Sequence, residues 1–146
     1  MKRYLTLTIA IIMFLGVVTV TTEAQVFGSK QVHARIPFAF HVGNQTLPAG
    51  EYTVTVLNPT SDRRVLQIRS KDRRLSALIH MTEITSNNAD DTKLVFNCYG
   101  DTYFFAQAQM AGDSTTWTAL KTSAERSQEH AIATNGRKST VAIAAE

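Results

Sequence analysis

The sequence predicts an all-β fold: an antiparallel sandwich or small barrel of about six to seven strands with one C-terminal helix. Apolar and polar residues alternate with period two in six short segments, which is typical of half-buried strands. Turn sequences rich in Gly, Pro, Asn and Asp separate these segments at roughly twelve-residue spacing. Helix-forming composition occurs in one segment near the C-terminus, so a doubly wound fold, which needs crossover helices, is excluded.

The first predicted strand region is the run from Val32 to Val42, in which every even position is apolar. Pro37 removes one backbone donor and is expected to bend or divide this run. Leu47-Pro48-Ala49-Gly50 then reads as a tight turn, in which Gly50 is expected to take a positive φ. Residues 51–57 follow as the next strand.

Four further strands are predicted from the same alternation, at residues 65–69, 75–82, 93–99 and 103–110. Residues 119–133 are rich in Ala, Lys, Glu, Arg and Gln and are predicted to form the helix. Leu120, Ala124 and Ala131 give it a weak apolar stripe, so we expect it to lie shallowly on the sheet or to project from it. Residues 137–146 are small and polar apart from two positions and are expected to fray.

Length and composition predict a single domain. The chain has 146 residues, of which 44% are hydrophobic and 18% charged, which is too apolar for a disordered tail. A chain of this size buries about two-thirds of its unfolded surface, so it needs neither disulfides nor a structural metal to fold. The only cysteine, Cys98, shares a strand face with Leu94 and Phe96. We expect it to be a core thiol or to pair between chains.

The N-terminal segment is typical of a secretory signal peptide. Lys2 and Arg3 precede an uncharged stretch over residues 4–22, and Thr22 and Ala24 are small residues suited to signal peptidase. The predicted domain boundaries are therefore a signal peptide at 1–24, a single β-rich domain ending in a helix at 25–134, and a flexible C-terminal tail at 135–146. The predicted localisation is periplasmic or secreted, and the alternative is an uncleaved membrane anchor.

One stretch of sequence carries a family resemblance. The run from Ile36 to Val54 reads IPFAFHVGNQTLPAGEYTV. It resembles a family of small exported bacterial proteins of unknown function that carry an IPFxFxVGxxxLPAGxYxV motif. Further similarity at residues 93–96 and 124–126 extends the resemblance over most of the mature chain. The resemblance implies export and a single domain, and it implies no catalytic residue.

Nothing in the sequence predicts a catalytic, cofactor or metal site. His33 and His41 lie eight residues apart on an extended run, about 26 Å at strand rise, so they cannot share an ion if that strand is continuous. HExxH, CxxC and GxSxG motifs are missing from the sequence. We therefore expect a protein that is not an enzyme and has no cofactor.

The most uneven feature is a run of six cations between residues 62 and 74. The formal net charge is +3, and +2 without residues 1–24, so the chain is too weakly basic for nucleic acid to be its partner. The run could bind anions, or it could keep an exposed strand edge soluble. The candidate anion-binding residues are Arg63, Arg64, Arg69, Lys71, Arg73 and Arg74.

These features give two functional hypotheses and leave the oligomeric state open. In the first, the protein is a non-enzymatic exported β-domain that binds a partner protein or an acidic glycan at the cell envelope through the basic hairpin and adjacent aromatic residues. In the alternative, it is a structural or assembly protein that pairs with other chains through edge strands and the C-terminal helix.

Overall fold

A computed structural model describes residues 31–57, 64–85, 90–133 and 137–146. The predicted signal peptide, residues 58–63 with Arg63, and residues 86–89 and 134–136 lie outside these ranges. The described residues form ten strands and one helix. These are β1 (Gln31–Ile36), β2 (Phe40–Val42), β3 (Gln45–Leu47), β4 (Gly50–Val56), β5 (Arg64–Ser70), β6 (Ser76–Thr85), β7 (Lys93–Tyr99), β8 (Thr102–Gln109), β9 (Thr115–Ala119), α1 (Ser123–Ala133) and β10 (Lys138–Ala144).

The strands form one large sheet in the order β1-β4-β5-β6-β9-β8-β2-β3, and β7 pairs with both β8 and β10. Only β2 and β8 are parallel, which makes the sheet mixed. The sheet is not closed into a barrel and is consistent with a β sandwich. The predicted all-β class with one C-terminal helix is thus confirmed, whereas the number of strands is larger than the six or seven expected.

Pro37 divides the first strand region as expected. β1 ends at Ile36, and β2 begins at Phe40 in a different part of the sheet. The alternation survives the break, because Val32, Ala34 and Ile36 in β1 and Phe40 and Val42 in β2 are all buried. The side-chain period of two therefore determined the buried face correctly on both sides of the proline.

The prediction for Gly50 is wrong. Gly50 is the first residue of β4 and does not have a positive φ. The left-handed glycine of this region is Gly43, with φ 59°, in the turn between β2 and β3. The motif thus contains one hairpin, β2–β3, which reverses the chain at Gly43, and Pro48-Ala49 then connects β3 to β4 in a different part of the sheet.

The helix begins later than predicted, because residues 115–119 form β9 against β6 and β8. The Thr122 hydroxyl accepts a hydrogen bond from the Glu125 backbone N–H (3.1 Å), which caps the first turn of α1. The predicted apolar stripe does not anchor the helix, since Leu120 lies before it and Ala124 and Ala131 are exposed. The helix residue that is buried instead is Glu125, at 4% exposure.

The C-terminal residues are not a frayed tail. Lys138–Ala144 form β10, which pairs antiparallel with β7 over its whole length. Ile143 and Ala145 pack against the core. The alternation of Val141 and Ile143 with small residues is the strand signal, and a partner edge on β7 satisfies its backbone hydrogen bonds.

The core is rich in aromatic residues. Phe40, Tyr52, Phe96 and Phe105 pack edge to face within it. Cys98 is buried, as predicted. Within the described ranges, no helix is long and apolar enough to cross a membrane.

Candidate ligand-binding groove

A groove of about 670 Å³ crosses the outer face of β1, β4 and β5 and the turn that follows β5. Even-numbered residues of β1, β4 and β5 face the core, so the odd-numbered ones face this groove. Four basic side chains line it, and we call it the basic groove. These are Arg35, Arg69, Lys71 and Arg73.

Strand register brings these cations together from distant parts of the sequence. Arg35 on β1 lies opposite Glu51 on β4. Arg69 on β5 lies opposite Thr53 on β4, and Thr53 is two residues further along β4 than Glu51. Strand spacing and rise place the Cα atoms of Arg35 and Arg69 about 12 Å apart. The groove therefore presents guanidinium groups from two strands, β1 and β5, on one face.

One cation of the groove is already paired. Lys71 Nζ lies 2.5 Å from Glu51 Oε2, and the Lys71 backbone N–H donates to the Glu51 carbonyl (2.9 Å). The Lys71 ammonium, with a smaller effect from Arg35, holds the pKa of the Glu51 carboxyl below its usual range. Glu51 is thus an anion at neutral pH that partly offsets Lys71.

Arg69 and Arg73 differ from Lys71 in that no acid lies within ion-pair distance of either in the described part of the chain. Arg69 donates a hydrogen bond to Gln67 Oε1 (2.9 Å). Arg73 makes a backbone hydrogen bond to the Ser70 carbonyl (2.8 Å), and its side chain is exposed. Both guanidinium groups can therefore contact an anion without first breaking an ion pair.

Arg73 owes its position to an unusual backbone conformation. It is the one non-glycine residue among the described residues with a positive φ, 60°. The turn is closed by two bonds between Ser70 and Leu75, in which the Ser70 backbone N–H donates to the Leu75 carbonyl and the Leu75 N–H donates to Ser70 Oγ. A left-handed residue in a tight turn costs free energy unless it is glycine.

The six predicted anion-binding residues do not form one surface. Arg69, Lys71 and Arg73 share the groove, but Arg64 lies on the other face of β5, because even and odd residues of a strand point in opposite directions. The Arg64 guanidinium pairs with Glu83 and lies over the Trp117 ring, 4.6 Å from its centroid. The Arg64 side chain is therefore engaged in contacts with Glu83 and Trp117 within the fold.

Arg74 does not line the groove, and Arg63 is not among the described residues. Arg74 Nε lies 3.7 Å from Asp72 Oδ2 and does not line the groove. The Ser70 hydroxyl and the Arg74 backbone N–H hold the pKa of Asp72 below its usual range, so this acid stays charged at neutral pH. Arg63 lies outside the described residues.

Arg35 is the groove residue that sequence reasoning missed. It lies far from the charge run along the chain, at an exposed odd-numbered position of β1. The available signal was that polar face itself, on which His33 and Arg35 alternate with buried residues. Its pairing with Glu51, however, depends on the β1–β4 register, which no local pattern gives.

The rest of the groove lining combines hydrogen-bonding groups and the acid Glu146 with three alanines, Ala34, Ala144 and Ala145. Thr53 Oγ1 and His33 Nδ1 form a hydrogen bond (3.1 Å) near its centre. Tyr52, the aromatic residue of the lining, is buried, and its hydroxyl donates to the Pro48 carbonyl (2.6 Å). The groove therefore has hydroxyl, amide and guanidinium groups but no exposed aromatic platform, contrary to the expectation that aromatic residues flank the basic hairpin.

The described residues hold no group of three His, Cys, Asp or Glu side chains placed to bind a metal ion. Comparison with family models, with curated proteins and with solved structures finds no match for this chain.

Proposed function

We propose that this protein is a non-enzymatic exported domain that binds an acidic glycan at the cell envelope through the basic groove. The observation that supports this most strongly is the combination of unpaired guanidinium groups with a hydroxyl- and amide-rich floor. Arg69 and Arg73 supply charge, while residues such as Thr53, Thr55 and Gln67 offer hydrogen bonds. Carboxylates and sugar hydroxyls are the groups that such a lining recognises.

The spacing of the cations favours a polymer over a small anion. A single carboxylate, even where two guanidinium groups converge on it, leaves the other cations of the groove uncontacted. A chain that carries repeated carboxylates can contact these cations as well and cross the polar row between them. The lack of an exposed aromatic ring in the groove argues against stacking of bases or of neutral sugars.

Binding to polygalacturonate tests this proposal. The wild-type protein should be retained on an immobilised polyuronate at low salt and released as salt rises, because exposed charges are screened. The variant Arg35→Gln, Arg69→Gln, Arg73→Gln should lose at least about tenfold in affinity. A neutral dextran surface should retain neither protein.

The control variant removes the same charge elsewhere. Arg74→Gln, Arg126→Gln, Arg137→Gln changes three exposed arginines outside the groove and should keep near wild-type affinity. Equal losses in both variants would mean that only net charge matters and would reject the groove. Failure of the wild-type protein to bind polyuronate at low salt, or binding only to anionic lipid vesicles, would also reject the proposal.

The second candidate is an assembly role through strand edges. One observation favours it: among the described strands, none forms a ladder with the side of β10 that faces away from β7, and β1 approaches that side at its C-terminal end only. A size measurement separates the two candidates, since only assembly requires self-association.

A further inference from the structure

We propose that β10 pairs antiparallel with β10 of a second copy, which joins two molecules through one continuous sheet about a two-fold axis at Val141. This inference gives the assembly candidate a specific strand and register, and it does not depend on glycan binding. It rests on the hydrogen bonds of β10, on its composition and on a comparison with the other sheet edges.

The hydrogen bonds identify which backbone groups of β10 are open. The Ala145 N–H donates to the Thr92 carbonyl on the β7 side, whereas Glu146 exchanges two backbone bonds with His33 on the opposite side. Backbone groups alternate in direction along a strand. The N–H and C=O groups of Thr140, Ala142 and Ala144 therefore point away from β7, towards the open edge.

The composition of this edge suits pairing. Residues 139–145 contain no charged residue, proline or glycine. Edges that avoid pairing are short, charged or interrupted by proline. The two other ends of the sheet follow that rule, because β3 has three residues and β1 carries Arg35 with Pro37 directly after it.

The absence of charge also favours a second copy as the partner. Pairing about a two-fold axis brings identical segments together, so a strand with one sign of charge would repel itself. The segment 139–145 pairs without that cost. The opposite charges of Lys138 and Glu146 at its two ends favour the antiparallel alignment, since a parallel one would place Lys138 against Lys138.

The contact between Glu146 and His33 selects the register. A two-fold axis at Val141 places Lys138 opposite Ala144 and Thr140 opposite Ala142 of the second copy. The pairing then runs over residues 139–143 of both copies, and the C-terminal end of β10 stays beside β1, with Glu146 bonded to His33. Val141 meets its own copy as a non-hydrogen-bonded pair, in which Cα atoms lie about 4.5 Å apart.

Cysteine cross-linking tests this register in the intact protein. Because Cα separations of about 4.4–6.8 Å permit a disulfide, Val141→Cys in a Cys98→Ala background should form a covalent dimer under mild oxidation. Ser139→Cys lies on the same strand face but, in this register, far from its own copy, so it should remain at least tenfold less cross-linked. Equal cross-linking of both variants would reject the register.

A proline variant tests the pairing itself. Ala142→Pro removes an N–H that faces the open edge and leaves the β7 ladder intact, so it should weaken dimerisation at least tenfold in sedimentation while the fold is retained. Ala142→Lys is the second variant in case proline disturbs folding, since a charge on the edge opposes pairing.

Wild-type protein that stays monomeric at every concentration would overturn the proposal. Dimers that both variants leave unchanged would do the same. Neither variant changes a residue of the basic groove, so polyuronate binding reports separately on the proposed function.

Discussion

Arg73 combines backbone strain with a position in the basic groove, and this makes it a residue at which stability and binding can be separated. We predict that Arg73→Gly stabilises the fold by up to about 1 kcal/mol, because glycine adopts a φ of 60° without the cost that a Cβ imposes. The same change should weaken polyuronate binding, since a guanidinium group is lost. Chemical denaturation measures the first effect, and retention on the polymer measures the second.

Arg73→Ala is the matched control, since it removes the guanidinium group but keeps the Cβ. It should lose binding to the same extent as Arg73→Gly and gain no stability. If the two variants had the same denaturation midpoint, the left-handed conformation would carry no measurable strain.

Two glycines show how far single residues could be predicted from sequence. Pro48-Ala49-Gly50 has the composition of a turn, yet Gly50 begins β4 with an ordinary φ, and a Cβ there would meet the Tyr52 ring at 3.5 Å, a normal contact distance. Gly43 takes the positive φ instead. Both glycines lie in turn-like sequences, and only the pairing of β2 with β3 determines which one reverses the chain.

At the scale of elements, α1 is attached to the sheet by a buried carboxylate. Glu125 Oε1 accepts hydrogen bonds from Asn97 Nδ2 (2.8 Å) and from the Tyr99 hydroxyl (3.3 Å), both on β7. Burial, with Glu125 as the next cause, raises the pKa of Tyr99 to about 12. The helix therefore depends on a polar anchor where an apolar stripe was expected.

We predict that Glu125→Ala destabilises the protein by about 1–3 kcal/mol, because it leaves the Asn97 amide and the Tyr99 hydroxyl without their acceptor. Glu125→Gln keeps one acceptor oxygen and should cost less. Urea denaturation of the two variants measures the difference. Equal destabilisation would show that the negative charge matters and that the acceptor alone does not suffice.

A second contact joins the helix to β10 through Glu129. Its carboxylate lies 2.7 Å from both Lys121 Nζ and Lys138 Nζ. Hydrogen bonds from Lys121 and then Lys138 lower the pKa of Glu129 from 4.5 to about 2. Because the folded pKa is the lower one, this contact stabilises the fold fully above pH 4.5 and is lost as pH falls towards 2.

We predict that the wild-type protein loses stability between pH 5 and pH 2.5 more steeply than Glu129→Gln, which cannot titrate at this position. The measurement is the urea midpoint of both proteins across this range. Glu51 and Asp72 also have lowered pKa values and titrate in both proteins, so the difference between the two curves isolates Glu129. Parallel curves would mean that the ion pairs do not form in solution.

At the scale of the molecule, the sequence predicted the fold class and most of the buried face but not the long-range pairing. Alternation identifies which side of a strand is buried, and this sufficed for β1, β4 and β5. It contains no information on which strand lies next to which. For that reason the sequence does not place Arg35 beside Arg69, and it predicts a flexible tail at 135–146, within which Lys138–Ala144 in fact pair with β7.

The C-terminal segment also connects β7 to β1, which gives the whole molecule a testable dependence on it. β10 covers the open side of β7, and beyond its end Glu146 bonds to His33 on β1.

We predict that removal of residues 137–146 lowers the free energy of unfolding by at least about 2 kcal/mol, since Val141 and Ile143 are each half-buried and β7 loses its ladder partner. Removal of residues 145–146 alone deletes the two bonds to His33, the bond from the Ala145 N–H to the Thr92 carbonyl and the packing of Ala145, and it leaves β10 paired with β7, so it should cost less. Thermal and urea denaturation of the two truncated proteins measure these losses. A frayed tail would make both truncations silent, whereas a strand that holds β7 and β1 together makes the longer one the more damaging.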